Sequence, residues 1–243
     1  MSWVGAACLL FSLTFAAHVL RYVTCAGGID WGIRRLPRRW RRRLQGRHVT
    51  TSTRELEFWS SIEAGVVFSL LMFPAVYGIS EGWLRVSMDA RGASLGAQLQ
   101  SFACCLALHD TYFYWTHRWM HLPRVFPAVH AHHHASRTPS AWAAFSFHPI
   151  ESVIQGLIYL LIPLVLPIHI AALTAFVVWA TLYSAFIHCG YELGPGLGRS
   201  GLYSSVDHDL HHSGVRGNYG LYFTFWDRVM GTRVPEPHHR ERA

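Results

Sequence analysis

Long apolar blocks constrain the fold of this chain more than any other feature of its sequence. A bilayer crossing by an α-helix needs about 20 mostly apolar residues. Residues Trp3–Leu20, Phe58–Ser80 and Ala97–Thr116 each provide a block of about this length, and Ser152–Ile187 provides one that is much longer. Ionisable residues are rare inside all four blocks. The sequence therefore predicts an integral membrane protein.

The fourth block is too long for one straight crossing, because a helix rises about 1.5 Å per residue. Pro163 and Pro167 lie near its middle, and proline interrupts the helical hydrogen-bond ladder. We therefore predict two helices there, short or partly re-entrant. The first block lacks a preceding basic segment and a clear cleavage site, so we interpret it as a span rather than a signal peptide. The predicted fold is an all-α integral membrane protein with about four to five transmembrane helices.

The charge of the chain is concentrated beside the first apolar block. All 21 basic residues are arginine, and eight of them lie between Arg34 and Arg47. A basic run next to a membrane span is typical of a cytoplasmic loop, and this setting argues against a nucleic-acid site. With that loop cytoplasmic, the spans return residues 117–150 and 188–243 to the same face. Residues 81–96 then lie on the opposite face.

Histidine is the second unusual feature, with 17 residues in the chain. On a helix, residues at positions i, i+3 and i+4 share one face, and neutral imidazole is the commonest metal ligand. An HxxxH motif therefore points two imidazoles in one direction, and an HxxHH motif points three. Four clusters on the predicted cytoplasmic face carry such histidines: His117 and His121; His130, His133 and His134; His188; and His208, His211 and His212.

Other histidines have simpler interpretations. His132 breaks the spacing of its neighbours, so it is left out of the predicted site. A single histidine within an apolar segment usually packs or forms a hydrogen bond, and this role is expected for His18, His109 and His169.

The nine clustered histidines exceed the ligand number of one ion, which takes at most about six ligands, or about four in a structural zinc site. They therefore predict two ions. The sequence has no HExxH motif of zinc proteases. It also lacks the two Glu-x-x-His motifs of carboxylate di-iron bundles, since its one such string, Glu236–His239, lies in the C-terminal tail. Imidazole suits iron, zinc, copper and nickel alike, so these residues by themselves leave the metal open.

Several strings resemble those of the fatty acid hydroxylase/sterol desaturase superfamily. HDLHHSGVRGNYGLYFTFWDRVMGT, at His208–Thr232, is similar to its C-terminal signature. YFYWTHRWMH, HAHHHASRTPSAWAAFSFHPIE and HCGYEL resemble its earlier motifs in the same order, so the resemblance extends from about Leu108 to Thr232. The HPIE and NYG…WDR…GT elements resemble those of the sterol-modifying branch of this superfamily, which includes methylsterol monooxygenase and sterol C-5 desaturase.

The resemblance implies a non-haem di-iron centre, held in a cytoplasmic helical cap, that hydroxylates or desaturates a lipid C–H bond with dioxygen. The implied iron ligands are the nine clustered histidines and a tenth group. His148 is the candidate for the tenth ligand, and Glu192 is the alternative, because one subfamily has a histidine at its position. Pro149 is expected to start a helix, which places His148 at the helix N-terminus and Glu151 in the first turn. The full implied set is His117, His121, His130, His133, His134, His148, His188, His208, His211 and His212.

Carboxylates are candidates for orienting the ring N–H groups of metal-bound histidines. Helix capping or pairing with an arginine such as Arg118 or Arg228 is an equally open interpretation for each of them. The candidates are Asp110, Glu151, Asp207, Asp209 and Asp227.

Oxidation of a lipid C–H bond needs electrons from outside the chain. The string GLGRSG at 196–201 matches GxGxxG, but it lies in a chain with no predicted βαβ unit, where a dinucleotide-binding loop would have to be. The sequence has no CxxCH motif and no cysteine set for an iron–sulfur cluster. We therefore expect a separate donor, either a ferredoxin or a b-type cytochrome with its reductase, besides a membrane lipid and dioxygen. The Arg34–Arg47 segment is expected either to dock an acidic donor or to contact anionic lipids.

Two other function classes also combine histidines with membrane spans. A divalent-metal transporter should carry its ligands near the bilayer midplane, and a membrane zinc metallohydrolase needs an activating carboxylate base. We expect membrane spans and the arginine loop in residues 1–96, the catalytic domain in 97–232 and a flexible tail in 233–243. The expected location is the bacterial inner membrane, or the endoplasmic reticulum of a eukaryote, with a cytoplasmic catalytic face.

Overall fold

The structure is a computed structural model that describes residues 2–89, 93–193 and 201–234. Helices dominate it, and its strands are two or three residues long, which confirms the predicted all-α membrane protein. Most of the predicted tail, 233–243, lies outside the described residues. The helices are α1 (Trp3–Arg35), α2 (Thr51–Ser80), α3 (Leu95–Met120), α4 (Phe126–Val129), α5 (Pro149–Val165), α6 (Ile170–Ile187), α7 (Ser205–Gly214) and α8 (Phe225–Val229).

Helices α1, α2 and α6 are long and apolar enough to cross a membrane, by length and composition. Helix α5 is apolar but has only 17 residues, and α3 contains the third predicted block. Helix α1 continues well beyond the predicted end at Leu20, because no proline occurs before Pro37. Spans beyond these three helices stay a prediction.

The long apolar block forms two helices, as predicted. Helix α5 ends just after Pro163, Pro167 lies in the connection, and α6 begins three residues later. Strand β2 (Val86–Ser87) pairs in parallel with β3 (Ile168–His169) at this connection. The 81–96 connection, which is predicted to lie on the face opposite the histidines, is therefore in direct contact with the connection between α5 and α6.

The arginine segment lies at the other end of the helices. Strand β1 (Arg41–Arg43) pairs antiparallel with β4 (Tyr191–Leu193), which follows the last apolar helix. The side chain of Gln45 also donates hydrogen bonds to the Arg137 carbonyl and to Asp209. These contacts bring the arginine loop and the histidine-bearing segments together at one end of the helices, and their shared membrane face stays a prediction.

Close helix contacts hold the histidine-bearing segments in place. A Cβ at Gly65 would lie 2.5 Å from the His18 ring, so glycine permits the close approach of α1 and α2 there. Nearby, the Tyr22 hydroxyl donates a 2.8 Å hydrogen bond to the Trp142 carbonyl, and the Ser61 hydroxyl donates one of 3.0 Å to the same oxygen. The short helix Ala141–Phe145, which follows the central histidine cluster, is thereby fixed against the membrane helices.

Candidate metal centre

The nine clustered histidines meet at one end of the long helices. His117 lies in the last turn of α3 and His121 caps its C-terminus, while His188 follows α6 directly. Three more lie on α7, and the remaining three lie in the segment after α4. All nine are buried except His121, which is partly exposed.

The nine histidines form two groups, and within each group one nitrogen per ring lies within 4.8 Å of all the others. Two nitrogens on opposite sides of an ion are about 4.2 Å apart, since a metal–nitrogen bond is about 2.1 Å. Each group is therefore about the size of one coordination sphere. The first group is His117, His121, His130, His134 and His211, and the second is His133, His188, His208 and His212.

Each HxxHH motif is divided between the two groups, whereas the spacing predicts three imidazoles pointing in one direction. On α7, His208 and His212 are one turn apart and belong to the second group, but His211 belongs to the first. A helix turns about 100° per residue, so the rings of adjacent residues diverge. The motif thus serves two neighbouring sites at once.

The other HxxHH motif is also divided between the two groups, although it does not lie on an α-helix. His130 ends α4, and a short 3₁₀ helix covers His133–Ala135. His130 and His134 belong to the first group, while His133 belongs to the second. His132 points elsewhere, since its Nε2 is 2.8 Å from the Ser60 hydroxyl. Leaving His132 out of the predicted site agrees with this contact.

Six of the nine rings are fixed through their Nδ1 atoms. Five Nδ1–H groups donate to backbone carbonyls and one donates to a carboxylate, at 2.7–3.3 Å. Carbonyl oxygens, and a carboxylate in its ionised form, can only accept, so Nδ1 of these rings carries the proton and Nε2 keeps its lone pair. The donor–acceptor pairs are His117 with Tyr219, His130 with Glu151, His133 with Ser146, His188 with Ser184, His211 with Gly217 and His212 with Ser136.

The free lone pairs converge. Nε2 of His188 is 3.2 Å from Nε2 of His133, and both of these rings carry their proton on Nδ1. Two lone pairs facing each other repel unless a cation lies beside them. Nε2 of His211 is likewise 3.1 Å from Nε2 of His134. The donor set therefore fits metal ions.

Unpaired buried nitrogens support the same fit. Nε2 of His117, His121 and His130 is buried without a hydrogen-bond partner among the described residues. Buried polar atoms in proteins nearly always have a partner, because losing water without replacing its hydrogen bond is costly. Three such atoms in one group indicate a missing partner that accepts lone pairs, as a metal ion does.

Burial keeps these rings neutral. Burial lowers the pKa of His121 and that of His188 to about 4, although each ring also has a backbone hydrogen bond that raises its pKa. Burial also lowers the pKa of His133 and of His211 well below 6.5. Metal binding needs the unprotonated imidazole, so the folded chain holds its imidazoles in the form that binds metal at neutral pH.

One predicted carboxylate contacts a clustered ring. Glu151 lies in the first turn of α5, as expected from Pro149, and its Oε1 accepts a 2.7 Å hydrogen bond from Nδ1 of His130. Both side chains are almost completely buried. A carboxylate on a ring N–H fixes the orientation of the ring and raises its basicity.

Of the other four candidate carboxylates, three hold the surrounding backbone and one accepts from a side chain. Asp207 caps α7 together with Ser204, and Asp209 accepts from the side-chain amide of Gln45. Asp110 accepts from the backbone of residues 221–223, and Asp227 accepts from the backbone of residues 219 and 220. The last two hold the loop whose carbonyl oxygens accept from His117 and His211.

Neither candidate for a tenth ligand lies in the two groups. His148 caps α5, where its Nδ1 accepts a 3.3 Å hydrogen bond from the backbone N–H of Ile150. Glu192 forms a 2.6 Å ion pair with Arg42 in the β1–β4 pairing. The described residues thus give both side chains a structural partner.

Sequence reasoning missed the backbone acceptors of the site. The carbonyl oxygens of Ser136, Ser146, Ser184, Gly217 and Tyr219 fix five rings. Every residue has a carbonyl group, so residue type carries no signal for this role. Only the folded chain shows which carbonyl groups face a histidine.

Comparison with known proteins agrees with this geometry. The sequence matches the fatty acid hydroxylase family over residues 102–232, more than half of the chain. No solved structure matches it.

Three relatives are sterol-modifying enzymes by name. A Delta(7)-sterol 5(6)-desaturase of Gibberella zeae is 36% identical over 62% of this chain and 43% of its own length. One of Candida glabrata is 31% identical, over 74% of this chain and 50% of its own. Lathosterol oxidase of Rattus norvegicus is 32% identical, over 72% of this chain and 56% of its own length. The chain spans about half the length of these relatives. Together with the family match, they show that the chain belongs to the fatty acid hydroxylase family, which includes the sterol desaturases it resembles.

Proposed function

We propose that the protein is a membrane-bound oxygenase in which two iron ions are held by nine histidines. It hydroxylates or desaturates a C–H bond of a membrane lipid. The observation that carries this proposal is the pair of buried imidazole groups whose ring nitrogens converge. The family match and the names of the relatives favour iron over zinc, copper or nickel.

The protein's own residues supply the metal ligands, fix the orientation of their rings and bury the site away from water. The first group offers five nitrogens and the second offers four, which leaves positions open in a coordination sphere of six. Two bound iron ions would supply the oxidising power for C–H cleavage once dioxygen and two electrons reach them. The carbonyl groups and Glu151 keep six of the nine rings in the tautomer that coordinates.

The location of the groups favours an oxygenase over a metal transporter. The ligands lie where α3 ends, directly after α6, on the short helix α7 and in the segment after α4, rather than in the middle of a long apolar helix. A transported ion would need ligands near the midplane of the bilayer. A site at the end of the helices instead suits a substrate that lies in the membrane. We propose that this face is cytoplasmic.

We propose that a sterol-like polycycle is the substrate, with an acyl chain as the alternative. The named relatives act on sterols by name. Large apolar side chains are exposed along the helices, including Leu13, Leu70 and Leu164. A lipid therefore meets an apolar surface on its way to the site.

Electrons come from a separate protein in this proposal, a ferredoxin or a b-type cytochrome. The arginine segment lies beside the site, since Arg42 pairs with Glu192 only four residues after His188. A basic surface there attracts an acidic partner and speeds its encounter. Measuring turnover with each donor, as a function of salt, identifies the partner.

Metal analysis of the purified full chain tests the central claim. After anaerobic iron loading, we expect about two irons per chain, with nitrogen ligation in X-ray absorption and no haem band. A single tightly bound zinc under the same conditions contradicts the di-iron proposal and favours the metallohydrolase.

Comparative lipidomics of cells with and without the gene tests the reaction. We expect a membrane lipid that gains one oxygen or loses two hydrogens in the presence of the protein. Unchanged lipids together with altered cellular metal content would instead favour the transporter.

A further inference from the structure

A small cavity lies next to both histidine groups, between α2, α3, α5 and α6. Its volume is about 30 Å³, and Phe113 and Phe147 are part of its wall. The Phe113 ring lies 4.9 Å from the His117 ring, and the Phe147 ring lies 5.3 Å from the His133 ring, centre to centre. One layer of aromatic rings thus separates the cavity from the predicted ligands.

Two buried polar side chains line this mostly aromatic cavity, beside the half-buried Tyr159 and Ser184, and the Ser184 hydroxyl donates to a backbone carbonyl. Gln155 is 6% exposed, and its Oε1 has no hydrogen-bond partner among the described residues. His109 is also 6% exposed; its Nδ1 lies 3.0 Å from the Tyr222 hydroxyl, and the described chain offers its Nε2 no partner. An unpaired buried carbonyl oxygen is costly, so this pair indicates a ligand with a polar group.

We propose that Gln155 and His109 bind the hydroxyl group of a neutral lipid alcohol. This inference rests on the proposed function, because it takes that alcohol to be the substrate. A hydroxyl group both donates and accepts. It can donate to Oε1 of Gln155 and accept from Nε2–H of His109, once the Tyr222 hydroxyl donates to Nδ1. The cavity has room for a hydroxyl group and the carbon that bears it.

The lining favours a neutral group over an anionic one. No acidic or basic side chain other than His109 lines the cavity. The nearby Arg21 is directed elsewhere, with its Nε donating 3.0 Å to the Thr181 hydroxyl and its Nη2 lying 3.1 Å from His18 Nδ1. A carboxylate in the cavity would lose its water without gaining a counter-charge, which is strongly unfavourable.

The position of the pair has a consequence for the reaction. A hydroxyl group held there lies one ring layer from the histidine groups, so the oxidised carbon must be only a few bonds from the hydroxyl-bearing carbon. Gln155 and His109 thereby select which lipid binds and which of its carbons faces the metal centre.

Equilibrium binding to the iron-loaded full chain, without an electron donor, tests the inference. The probes are tritiated lathosterol and hexadecanol, each beside the matched hydrocarbon that lacks the hydroxyl group, and palmitate. We expect each alcohol to bind about tenfold more tightly than its hydrocarbon, the effect of a buried hydrogen bond. Equal binding of alcohol and hydrocarbon, tighter binding of palmitate than of hexadecanol, or no binding of either alcohol overturns the inference.

Variants separate hydrogen bonding from folding. Gln155→Leu should bring the alcohol-to-hydrocarbon affinity ratio close to one and leave hydrocarbon binding unchanged, whereas a folding defect would weaken both. His109→Leu should also lower the alcohol-to-hydrocarbon affinity ratio, and it replaces Gln155→Leu as the test if the Gln155 variant does not fold. Ser69→Ala removes a buried hydroxyl that donates within α2, outside the cavity, and should keep the wild-type ratio. A wild-type ratio in both cavity variants contradicts the inference.

The same preparation separates this inference from the proposed function. Iron content and lipid oxidation report on the oxygenase, while the affinity ratio reports on the cavity. If the alcohol-to-hydrocarbon affinity ratio is preserved but no lipid is oxidised, only the oxygenase proposal is contradicted. If a lipid is oxidised but its hydroxyl group does not strengthen binding, only the cavity inference is contradicted.

Discussion

Oε1 of Glu151 accepts a 2.7 Å hydrogen bond from Nδ1 of His130, and both side chains are almost completely buried. This contact fixes the tautomer of a ring in the five-histidine group. Glu151→Ala should therefore lower iron affinity about 10–100-fold, the usual effect of losing such a partner. Glu151→Gln should lower it less, because the amide oxygen still accepts. Iron content after competition with a chelator measures both.

A buried carboxylate outside the ring contacts provides the control. Asp209 accepts from Gln45 and touches no imidazole nitrogen in the described structure. Asp209→Asn should keep wild-type iron affinity. Equal losses in the Glu151 and Asp209 variants would show that general packing, rather than ring orientation, sets the affinity.

Removing one histidine from either group should abolish turnover. His211→Ala removes a ligand of the first group and His133→Ala one of the second, so each protein should keep closer to one iron than two. His132→Ala should be much milder, since that ring contacts Ser60 instead. Iron content, membrane insertion and lipid oxidation are measured together. A loss in His132→Ala as large as in the others contradicts the assignment of the two groups.

The two groups show what the sequence can and cannot predict. Spacing selects the nine histidines and excludes His132, because residue type and interval are visible in the chain. Spacing does not predict that adjacent His211 and His212 belong to different groups. That division depends on where α3, α6 and the turn around His130 bring the other rings, and these are tertiary contacts.

Local signals predict helix boundaries better than they predict roles. Pro149 starts α5 and Pro163 lies at its end, both as expected from proline stereochemistry. Helix α1 extends past Leu20 because hydropathy marks the membrane-embedded part of a helix and not its full length. The five candidate carboxylates were equivalent in the sequence, and only Glu151 reaches a ring.

The structure gives His148 a capping role that mutagenesis can separate from metal binding. Its Nδ1 accepts from the backbone N–H of Ile150 at the start of α5. Asparagine is a good helix cap, so His148→Asn should keep both melting temperature and iron content. His148→Ala should lower the melting temperature by a few degrees through a lost cap of about 1 kcal/mol. Loss of iron in the asparagine variant would instead identify His148 as the tenth ligand.

The shared face of the arginine and histidine segments predicts a labelling pattern. In a background without native cysteines, His48→Cys and Ser213→Cys should react from the same side of sealed vesicles, and Met88→Cys from the other. All three positions are exposed, and Met88 follows the β2–β3 contact at the far end of the helices. Labelling of positions 48 and 213 from opposite sides contradicts the proposed topology.

Acid should destabilise the metal-free protein. Burial lowers the pKa of His121 and of His188 to about 4, whereas the unfolded chain takes up these protons near 6.5. Below pH 6.5 the unfolded state therefore binds more protons than the folded state, and stability falls progressively as the pH drops toward 4. The melting temperature of chelator-treated protein should fall by at least about 5 °C between pH 7 and pH 5. Tryptophan fluorescence measures the melting temperature, and His121→Gln, which removes one such group, should make the melting temperature less dependent on pH.

Iron-loaded protein should melt higher than metal-free protein at pH 7 and lose that advantage on acidification, because protons compete with iron for the ring nitrogens. A melting temperature that does not change between pH 7 and pH 5 would mean that these rings are not held neutral by burial.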